Sequence, residues 1–308
     1  MIELQNVTKL YGPVIGVNDV SLSLAPGAHG LLGPNGSGKT TFLNLIMGQL
    51  VPTMGRVRLF GRNPRTNTAA LRAIGFCPGD EAMYSNVSGY DWVRYLTELH
   101  GLSVREASKR AQQTLARVGM TDAMHRPMGT YSRGMRQRTK IAQAIAHDPK
   151  FLILDEPFNG LDPIGRHDVI VLLRDWTRNG GSLLLASHIL HEVEAISRSF
   201  LLICSGRLLA SGTADEVNEL LADVPNEITL RCTQPRRVAQ HLLDLELADH
   251  VRVEGSDCLH ASSHHPLAIY NELPRLATES DIEIHAICSA DDSLQTLFDS
   301  LMRLHRGG

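Results

Sequence analysis

The sequence predicts an α/β protein with a mainly parallel sheet covered by helices on both faces, followed by a small α+β domain. Short apolar strands alternate with helices after residue 150, which is typical of parallel sheets. The first 30 residues instead alternate and turn like antiparallel strands, and residues 87–146 have helical periodicity. A second strand–helix pattern begins near residue 226.

The predicted elements of the first 80 residues form an antiparallel β subdomain and the start of the main sheet. Strands are predicted over 2–7 and 20–24, with a turn at Ala25-Pro26-Gly27. A buried strand over 29–32 and a helix over 41–47 follow, and two further apolar strands are predicted over 57–60 and 74–77.

Three consecutive helices are predicted over 87–100, 103–118 and 132–146. Because such a run does not fit between strands of one sheet, we interpret residues from about 80 to 147 as a helical subdomain inserted into the α/β core. The remaining elements are strands over 151–154, 182–186, 200–204 and 207–210, and helices over 163–177 and 189–196. The first domain is predicted to span residues 1–222.

Residues 226–308 are predicted to form a separate, ferredoxin-like domain. Its elements are strand 227–232, helix 235–245, strands 250–254 and 258–261, helix 267–278, strand 281–288 and helix 293–304. This is the β-α-β-β-α-β order of that fold with one added helix. His260, His264 and His265 are predicted to be surface residues, because no cysteine or carboxylate completes a set of metal ligands.

Composition and charge exclude several classes of function. The 308-residue chain has a formal net charge of −3 at pH 7, so no overall positive field suggests nucleic acid as a partner. Its five cysteines are scattered without C-x-x-C spacing, which predicts free thiols in a reducing compartment. Neither a signal peptide nor an apolar run of membrane-spanning length is visible. We therefore expect a cytosolic chain.

The segment over residues 33–41 matches the phosphate-loop pattern G-x-x-x-x-G-K-[ST]. It consists of Gly33, Pro34, Asn35, Gly36, Ser37, Gly38, Lys39, Thr40 and Thr41. The glycines permit positive φ angles, so backbone N–H groups can turn towards phosphates. Lys39 is expected to reach the β- and γ-phosphates, and Thr40 to bind Mg²⁺. The alternative is an ordinary glycine-rich surface loop.

Two adjacent carboxylates end the apolar strand over 151–154. Phosphoryl transfer to water needs a metal anchor and a group that orients the water. We expect Asp155 to hold Mg²⁺, mostly through water, and Glu156 to polarise the attacking water. Considered alone, this pair could equally be a plain strand-to-turn boundary.

Five ordered motifs resemble those of the ATP-binding cassette (ABC) of membrane transporters. They are the phosphate loop, the signature segment over 131–138, and the segments over 154–157, 160–162 and 187–188. The resemblance covers residues 1 to about 220. It implies a P-loop NTPase fold of the ABC type and an enzyme that binds and hydrolyses ATP with Mg²⁺.

The resemblance also implies roles for individual residues. Tyr11 matches the aromatic residue that stacks on adenine, and Ser132 and Gly134 match the signature residues that close on the γ-phosphate of the opposing subunit. Asp162 matches the aspartate that crosses the dimer interface, and His188 the switch histidine that contacts the γ-phosphate. The catalytic residues implied are therefore Lys39, Glu156 and His188. Taken alone, Tyr11 could be a packing residue and His188 a turn residue.

The chain has one phosphate loop and one signature segment. Ser132 begins a predicted helix, whose N-terminus is a second anion-binding end. In the family geometry these two ends cannot meet on one γ-phosphate within a subunit, so the resemblance implies a head-to-tail dimer around two ATP, with a second copy or a related cassette. It also implies a separately encoded membrane permease, which would hold the chain peripherally at the cytoplasmic face of the membrane.

Two departures from the family pattern affect these expectations. Tyr131, Arg133 and Met135 replace three residues of the usual signature Leu-Ser-Gly-Gly-Gln, a variant familiar in exporter ATPases. Gly79 occupies the position of a glutamine that joins the Mg²⁺ site to the permease; Asp80 could shift into this role, or a water could fill it. The aromatic segment between Gly79 and Trp92 matches the surface that receives the permease, or alternatively caps the helical subdomain.

Other functions stay open at this point. Gly79 leaves room for a weakly or non-hydrolysing regulatory ATP-binding protein, and a soluble ABC ATPase not engaged in transport is a further alternative. Residues 291–298 resemble the end of the appendage found in drug- and lipid-export ATPases, which implies a regulatory or dimer-stabilising role. The permease would select the cargo, so neither the cargo nor the choice between homodimer and heterodimer is encoded in these motifs.

Overall fold

A computed structural model of the chain describes residues 1–80, 83–213, 216, 225–279 and 282–289. The chain divides into two compact units, Met1–Ala214 and Asp215–Gly308. The predicted end of the first domain at residue 222 lies outside the described residues. The predicted helix over 293–304 and the segment over 291–298 also lie outside them.

The first unit begins with an antiparallel sheet. Its strands are β1 (Ile2–Tyr11), β2 (Val14–Leu24) and β4 (Met54–Leu59), in the order β2-β1-β4. Between β2 and β4 the chain forms β3 (Ala28–Leu32) and α1 (Lys39–Ile46), which carry the phosphate loop between them. Ile2, Leu4 and Phe42 are among the side chains that form a buried core between this sheet and α1. The antiparallel subdomain is thus present as predicted, with longer strands.

The main sheet is parallel apart from its last strand. With β3 it contains β5 (Ile74–Cys77), β6 (Phe151–Asp155), β7 (Ser182–Ser187), β8 (Ser199–Cys204) and β9 (Arg207–Thr213), in the order β5-β6-β7-β3-β8-β9. Every residue of β6 and β7 is buried, as expected for central strands covered on both faces. Because β6, β7 and β3 are parallel neighbours, the loops that follow them meet at one edge of the sheet.

Most of the further helices of the first unit begin at polar capping residues. These further helices are α2 (Thr68–Arg72), α3 (Gly89–Leu99), α4 (Val104–Arg117), α5 (Arg133–Ile145), α6 (Pro163–Arg178) and α7 (Leu190–Glu194). Helix α7 follows Ile189 and has no side-chain cap. Ser103 and Glu106 form a capping box at α4, and Ser132 and Asp162 cap α5 and α6. The α3–α5 group is the predicted helical subdomain; α2 was not predicted, because five residues are too few for a periodic pattern. Of the helices described, none is both long and apolar enough to cross a bilayer.

The second unit has the predicted ferredoxin-like order. Its elements are β10 (Asn226–Cys232), α8 (Pro235–Asp244), β11 (His250–Glu254), β12 (Cys258–Ser263), α9 (Pro266–Glu279) and β13 (Ile284–Ser289). The strands pair antiparallel in the order β11-β12-β10-β13. Leu230, Leu242, Leu259 and Leu273 contribute to a core between the sheet and both helices. The fold class predicted for this region is confirmed.

Two of the histidines predicted to lie at the surface of the second unit, His260 and His264, contact acidic neighbours. His260 Nε2 lies 3.1 Å from Glu254 Oε2, and His264 Nδ1 lies 2.7 Å from Asp249 Oδ2. In the part of the chain that the structure describes, no three or more histidine, cysteine or acidic side chains are arranged to hold a metal ion.

Two stacked histidines join the end of α3 to the segment before β6. The ring centroids of His100 and His147 are 3.5 Å apart and their planes differ by 10°. Burial, followed by the neighbouring His100, lowers the pKa of His147 to about 4, and burial also lowers the pKa of His100. A histidine of the unfolded chain titrates near pH 6.5, so the unfolded state binds more protons as the pH falls below that value. Stability is therefore lost as the pH falls from about 6.5 towards 4.

Lowering the pH from 7 to 5 is expected to reduce the free energy of unfolding of the first unit by up to about 2 kcal/mol through His147. The variant His147→Gln, which does not titrate, should lose less stability over the same range. Urea unfolding followed by tryptophan fluorescence measures this, because Trp92 and Trp176 both lie in the first unit. An identical pH dependence in the two proteins would contradict the prediction.

Candidate functional site

The phosphate loop connects β3 to α1, and its glycines serve two different purposes. Gly36 and Gly38 have φ angles of +79° and +107°, a conformation that side-chain-bearing residues rarely adopt. Gly33 does not have a positive φ, so that part of our expectation is wrong. A Cβ atom at Gly33 would instead collide with the backbone carbonyl of Ile203 and lie 2.5 Å from Ser37 Oγ. Gly33 is thus required by close packing.

Lys39 is held within the loop by backbone oxygens. It is 6% exposed, and its Nζ donates hydrogen bonds to Gly33 O at 2.6 Å and Pro34 O at 3.3 Å. The same atom lies 3.3 Å from Glu156 Oε1. A buried ammonium needs such partners, because an unpaired charge in the interior is costly. The positive charge is therefore fixed where the loop faces the end of β6.

Thr40 and Asp155 present two oxygen ligands side by side. Thr40 Oγ1 donates a hydrogen bond to Asp155 Oδ2 at 2.8 Å. Burial raises the pKa of Asp155, and the hydrogen bond from Thr40 acts in the opposite direction. Mg²⁺ takes hard oxygen ligands and usually binds through one or two protein groups together with phosphates and waters. A hydroxyl and a carboxylate at this spacing fit that ion.

Glu156 is positioned by an unusual backbone conformation. Its φ is +48°, and its N–H donates to Ala186 O of β7 at 2.9 Å. His188 Nδ1, just beyond β7, lies 2.9 Å from Glu156 Oε2 and is the donor, because an ionised carboxylate only accepts. Glu156 Oε1 is buried and accepts no hydrogen bond. Strained conformations of this kind, costing about 1–3 kcal/mol, cluster at functional sites.

An open cavity of about 620 Å³ runs over these residues. It is lined by Tyr11, residues 14–16, residues 34–41, Asn44, Gln49, Phe76, residues 78–80, Asp155 and Glu156. We call it the phosphate cavity. Tyr11 stands at its rim, with 43% of the residue exposed and its hydroxyl 3.4 Å from Thr41 Oγ1. An exposed ring beside a phosphate loop is suited to stacking on a base.

Ser132, Gly134 and Asp162 line a second cavity of about 700 Å³, which we call the signature cavity. Ser132 Oγ accepts a hydrogen bond from Met135 N at 3.2 Å at the start of α5. Asp162 Oδ1 accepts one from Gly165 N at 2.9 Å at the start of α6. The signature cavity and the phosphate cavity share no lining residue. The predicted ATP-binding residues are therefore divided between two places on the chain.

The packing of Tyr131 accounts for a tyrosine at the first position of the signature segment. The residue is buried, and its hydroxyl donates to Ala123 O at 2.7 Å. A Cβ atom at Gly89 would lie 2.7 Å from the same hydroxyl, so the tyrosine packs directly on the start of α3. The tyrosine thus fixes the segment before α5 to the helical subdomain.

Gly79 and Asp80 lie at the edge of the phosphate cavity. A Cβ atom at Gly79 would be 3.3 Å from both Cγ and Oδ2 of Asp155, which is tighter than ordinary contact. The backbone oxygen of Asp80 accepts a hydrogen bond from Lys140 Nζ at 2.8 Å. A backbone segment, without a side chain at residue 79, thus covers this flank of the Asp155 carboxylate.

Sequence reasoning gave no role to four buried polar residues around the site, Gln137, Lys140, Ser187 and Glu192. Gln137 Nε2 donates to Pro157 O at 2.8 Å, Lys140 reaches the 78–80 segment, and Ser187 Oγ donates to Glu192 Oε2 at 3.0 Å. Burial raises the pKa of Glu192. Gln137 lies within the signature segment over 131–138, whereas Lys140 lies outside every motif.

A phosphate loop after one central strand, acidic residues at the end of the next-but-one strand and a histidine beyond the strand between them define a P-loop nucleotide-hydrolysing domain. The family model described as ABC transporter matches residues 17–159. Together with relatives more than 30% identical over at least 71% of both chains, this match shows that the chain belongs to the ABC transporter ATP-binding proteins.

The relatives of this chain cover both parts of it. The bacitracin transport ATP-binding protein BcrA of Enterococcus faecalis is 36% identical over 222 residues, or 71% of each chain. The uncharacterized ABC transporter ATP-binding protein YdbJ of Bacillus subtilis is 31% identical over 309 aligned residues, covering 99% of this chain and 96% of YdbJ. A solved structure of the ATP-binding subunit of an ABC transporter superposes with a TM-score of 0.66 and 26% identity, covering 72% of this chain and 93% of that one. The chain is therefore an ABC-type ATPase subunit that binds ATP, as predicted.

Proposed function

We propose that two such cassettes associate head to tail and enclose two ATP molecules, each bound by the phosphate cavity of one cassette and the signature cavity of the other. The observation that carries this proposal is the separation of the two cavities, which share no lining residue. Ser132 and the positive end of the α5 dipole form one anion-binding end, and the phosphate loop with Lys39 forms the other. Two anion-binding ends on one chain fit two different nucleotides.

Within each site we assign binding to the phosphate loop. Its N–H groups and Lys39 hold the phosphates, and Tyr11 stacks on the adenine. Thr40 and Asp155 would hold Mg²⁺, which when bound neutralises charge on the β- and γ-phosphates. Asp80, which also lines the phosphate cavity, would act on this metal through water.

Glu156 is the residue we assign to water activation. Its Oε1 is buried and ion-paired with Lys39 but accepts no hydrogen bond, so a lone pair remains for a water proton beside the phosphate loop. Lys39 and His188 lie on either side of the carboxylate, at 3.3 and 2.9 Å, and keep it in place. His188 would change from this contact to the γ-phosphate when ATP is bound. The hydrolysis of ATP would then separate the two cassettes.

The membrane partner we propose is a separately encoded permease that binds near residues 79–92. Tyr84 is 69% exposed, and its ring lies 5.6 Å from that of Trp92. Tyr95, on the same helix as Trp92, is 55% exposed. Exposed aromatic residues in such a group are typical of protein interfaces. With BcrA as a relative, we propose export, with the chain held at the cytoplasmic face by the permease.

Dilution is expected to lower the ATPase rate per chain, because each site needs a second cassette. The variant Ser132→Arg should bind a fluorescent ATP analogue within about twofold of the wild type yet lose at least about 100-fold in hydrolysis. Steady-state ATPase assays over a range of protein concentrations, with analytical ultracentrifugation in ATP, measure both. A rate per chain that is constant down to concentrations at which the protein is monomeric would contradict the dimer. Negligible hydrolysis at every concentration, with normal ATP binding, would favour a regulatory protein.

A further inference from the structure

A buried lysine lies behind the phosphate cavity. Lys140, in the third turn of α5, is 3% exposed. Its Nζ donates hydrogen bonds to Pro78 O at 2.9 Å and to Asp80 O at 2.8 Å. The two acceptors flank Gly79, so a single ammonium group fastens both ends of this short segment.

The segment that Lys140 holds lies against Asp155. A Cβ atom at Gly79 would be 3.3 Å from Asp155 Oδ2, so the backbone of the segment packs directly on that carboxylate. Burial of an ammonium is costly unless its donors are satisfied, so a lysine retained here must be compensated by these contacts. No side chain of residue 79 takes part, since it is a glycine. The position of the segment therefore depends on Lys140.

The same lysine belongs to the helix that begins at the signature cavity. Ser132 caps α5, and Lys140 lies eight residues further on, about 12 Å along the axis. Gln137, between them, donates to Pro157 O next to Glu156. Helix α5 thus contacts both segments that border the reacting end of the phosphate cavity.

We propose that Lys140 is a positioning residue of the ATP site, which holds residues 78–80 against Asp155 and makes this segment follow α5. The first part concerns a single chain and is independent of any partner. The second part rests on the proposed function, in which the start of α5 contacts the nucleotide of the other cassette. If contact with that nucleotide moves α5, residues 78–80 would move with it. These residues lead into the proposed permease surface, which includes Trp92.

Lys140→Met keeps the length of the side chain and removes the donors and the charge. In the nucleotide-free protein, we expect amide hydrogen exchange at residues 79 and 80 to rise by about fivefold or more, with β6 unchanged. Two backbone oxygens lose their donor, and the segment is released from α5. Hydrogen–deuterium exchange with mass spectrometry measures this without ATP or metal.

The same variant should lower kcat by about 10-fold or more while Mg²⁺-free binding of a fluorescent ATP analogue stays within about twofold. Lys140→Arg, which retains donors and charge, should recover part of the lost kcat. A merely structural role would lower nucleotide binding together with kcat and would not separate the two. Lys109→Met, an exposed lysine of α4, is the matched control and should resemble the wild type in every assay.

Three results would overturn the inference. They are unchanged exchange at residues 79 and 80, unchanged kcat, or equal losses of nucleotide binding and kcat in Lys140→Met. If Lys140→Met does not fold, Lys140→Gln, which retains a shorter neutral donor, is measured instead with the same criteria. Raised exchange in Lys140→Met, together with an ATPase rate that depends on protein concentration as in the wild type, would support the positioning role of Lys140. The dimer proposal is tested separately, by the dilution experiment.

Discussion

Replacing Glu156 by glutamine is expected to arrest ATP hydrolysis while ATP binding persists. The amide keeps the shape of the side chain but cannot accept a proton from water, so kcat should fall by about 10²–10⁴-fold. Because ATP then remains between the cassettes, the protein should accumulate as an ATP-bound dimer. Phosphate release gives the rate, and size-exclusion chromatography in MgATP gives the oligomeric state.

Glu194→Gln is the control for this variant. Glu194 lies at the end of α7, a few residues beyond His188, and is exposed. It should hydrolyse ATP at the wild-type rate and show no ATP-induced accumulation of dimer. An unimpaired ATPase rate in Glu156→Gln would refute the assignment of water activation to Glu156.

Replacing Lys39 by alanine is expected to abolish measurable ATP binding. Charge-assisted hydrogen bonds to phosphate contribute about 1.5–3 kcal/mol each, and more than one is lost, so affinity should fall by at least about 100-fold. The change also removes the ion pair to Glu156 and the bonds to Gly33 O and Pro34 O. Equilibrium binding of a fluorescent ATP analogue measures the loss.

The folded state of Lys39→Ala must be established separately, because a buried carboxylate loses its partner. Circular dichroism and the urea unfolding midpoint serve this purpose. Lys150→Ala, an exposed lysine before β6, is the matched control and should bind ATP normally. Retention of ATP affinity within about threefold in a folded Lys39→Ala protein would contradict the role of Lys39.

Much of the fold could be predicted from the sequence, because local patterns and tertiary structure agree. Strands β6 and β7 are short apolar runs that become fully buried, and Pro163 marks the start of α6 after its capping Asp162. The order of strands and helices along the chain from β10 to β13 was predicted from hydrophobic alternation and turn positions alone. Boundaries were less accurate, as in β2, which begins at Val14 because its pairing with β1 continues to the turn at Gly12-Pro13.

The grouping of the candidate site residues was less accessible. The phosphate-loop pattern indicated three glycines with positive φ angles. Gly33 is needed for a different reason, because the backbone of Ile203, far away in the sequence, packs against it. Likewise, Lys140 belongs to no motif. Its positioning role becomes visible only in the structure, where α5 passes the backbone of residues 78–80. Contacts between segments far apart in the chain decide such roles, and periodicity along the sequence does not contain them.

The short loop between β6 and α6 has one end in each cavity. Glu156 lines the phosphate cavity, whereas residues 160–162 line the signature cavity. In a head-to-tail pair, this loop would therefore touch both nucleotides, and loss of one γ-phosphate would alter the grip on the other. Turnover by the pair should accordingly be cooperative, with a Hill coefficient for ATP above 1 that declines when Asp162 is replaced by alanine.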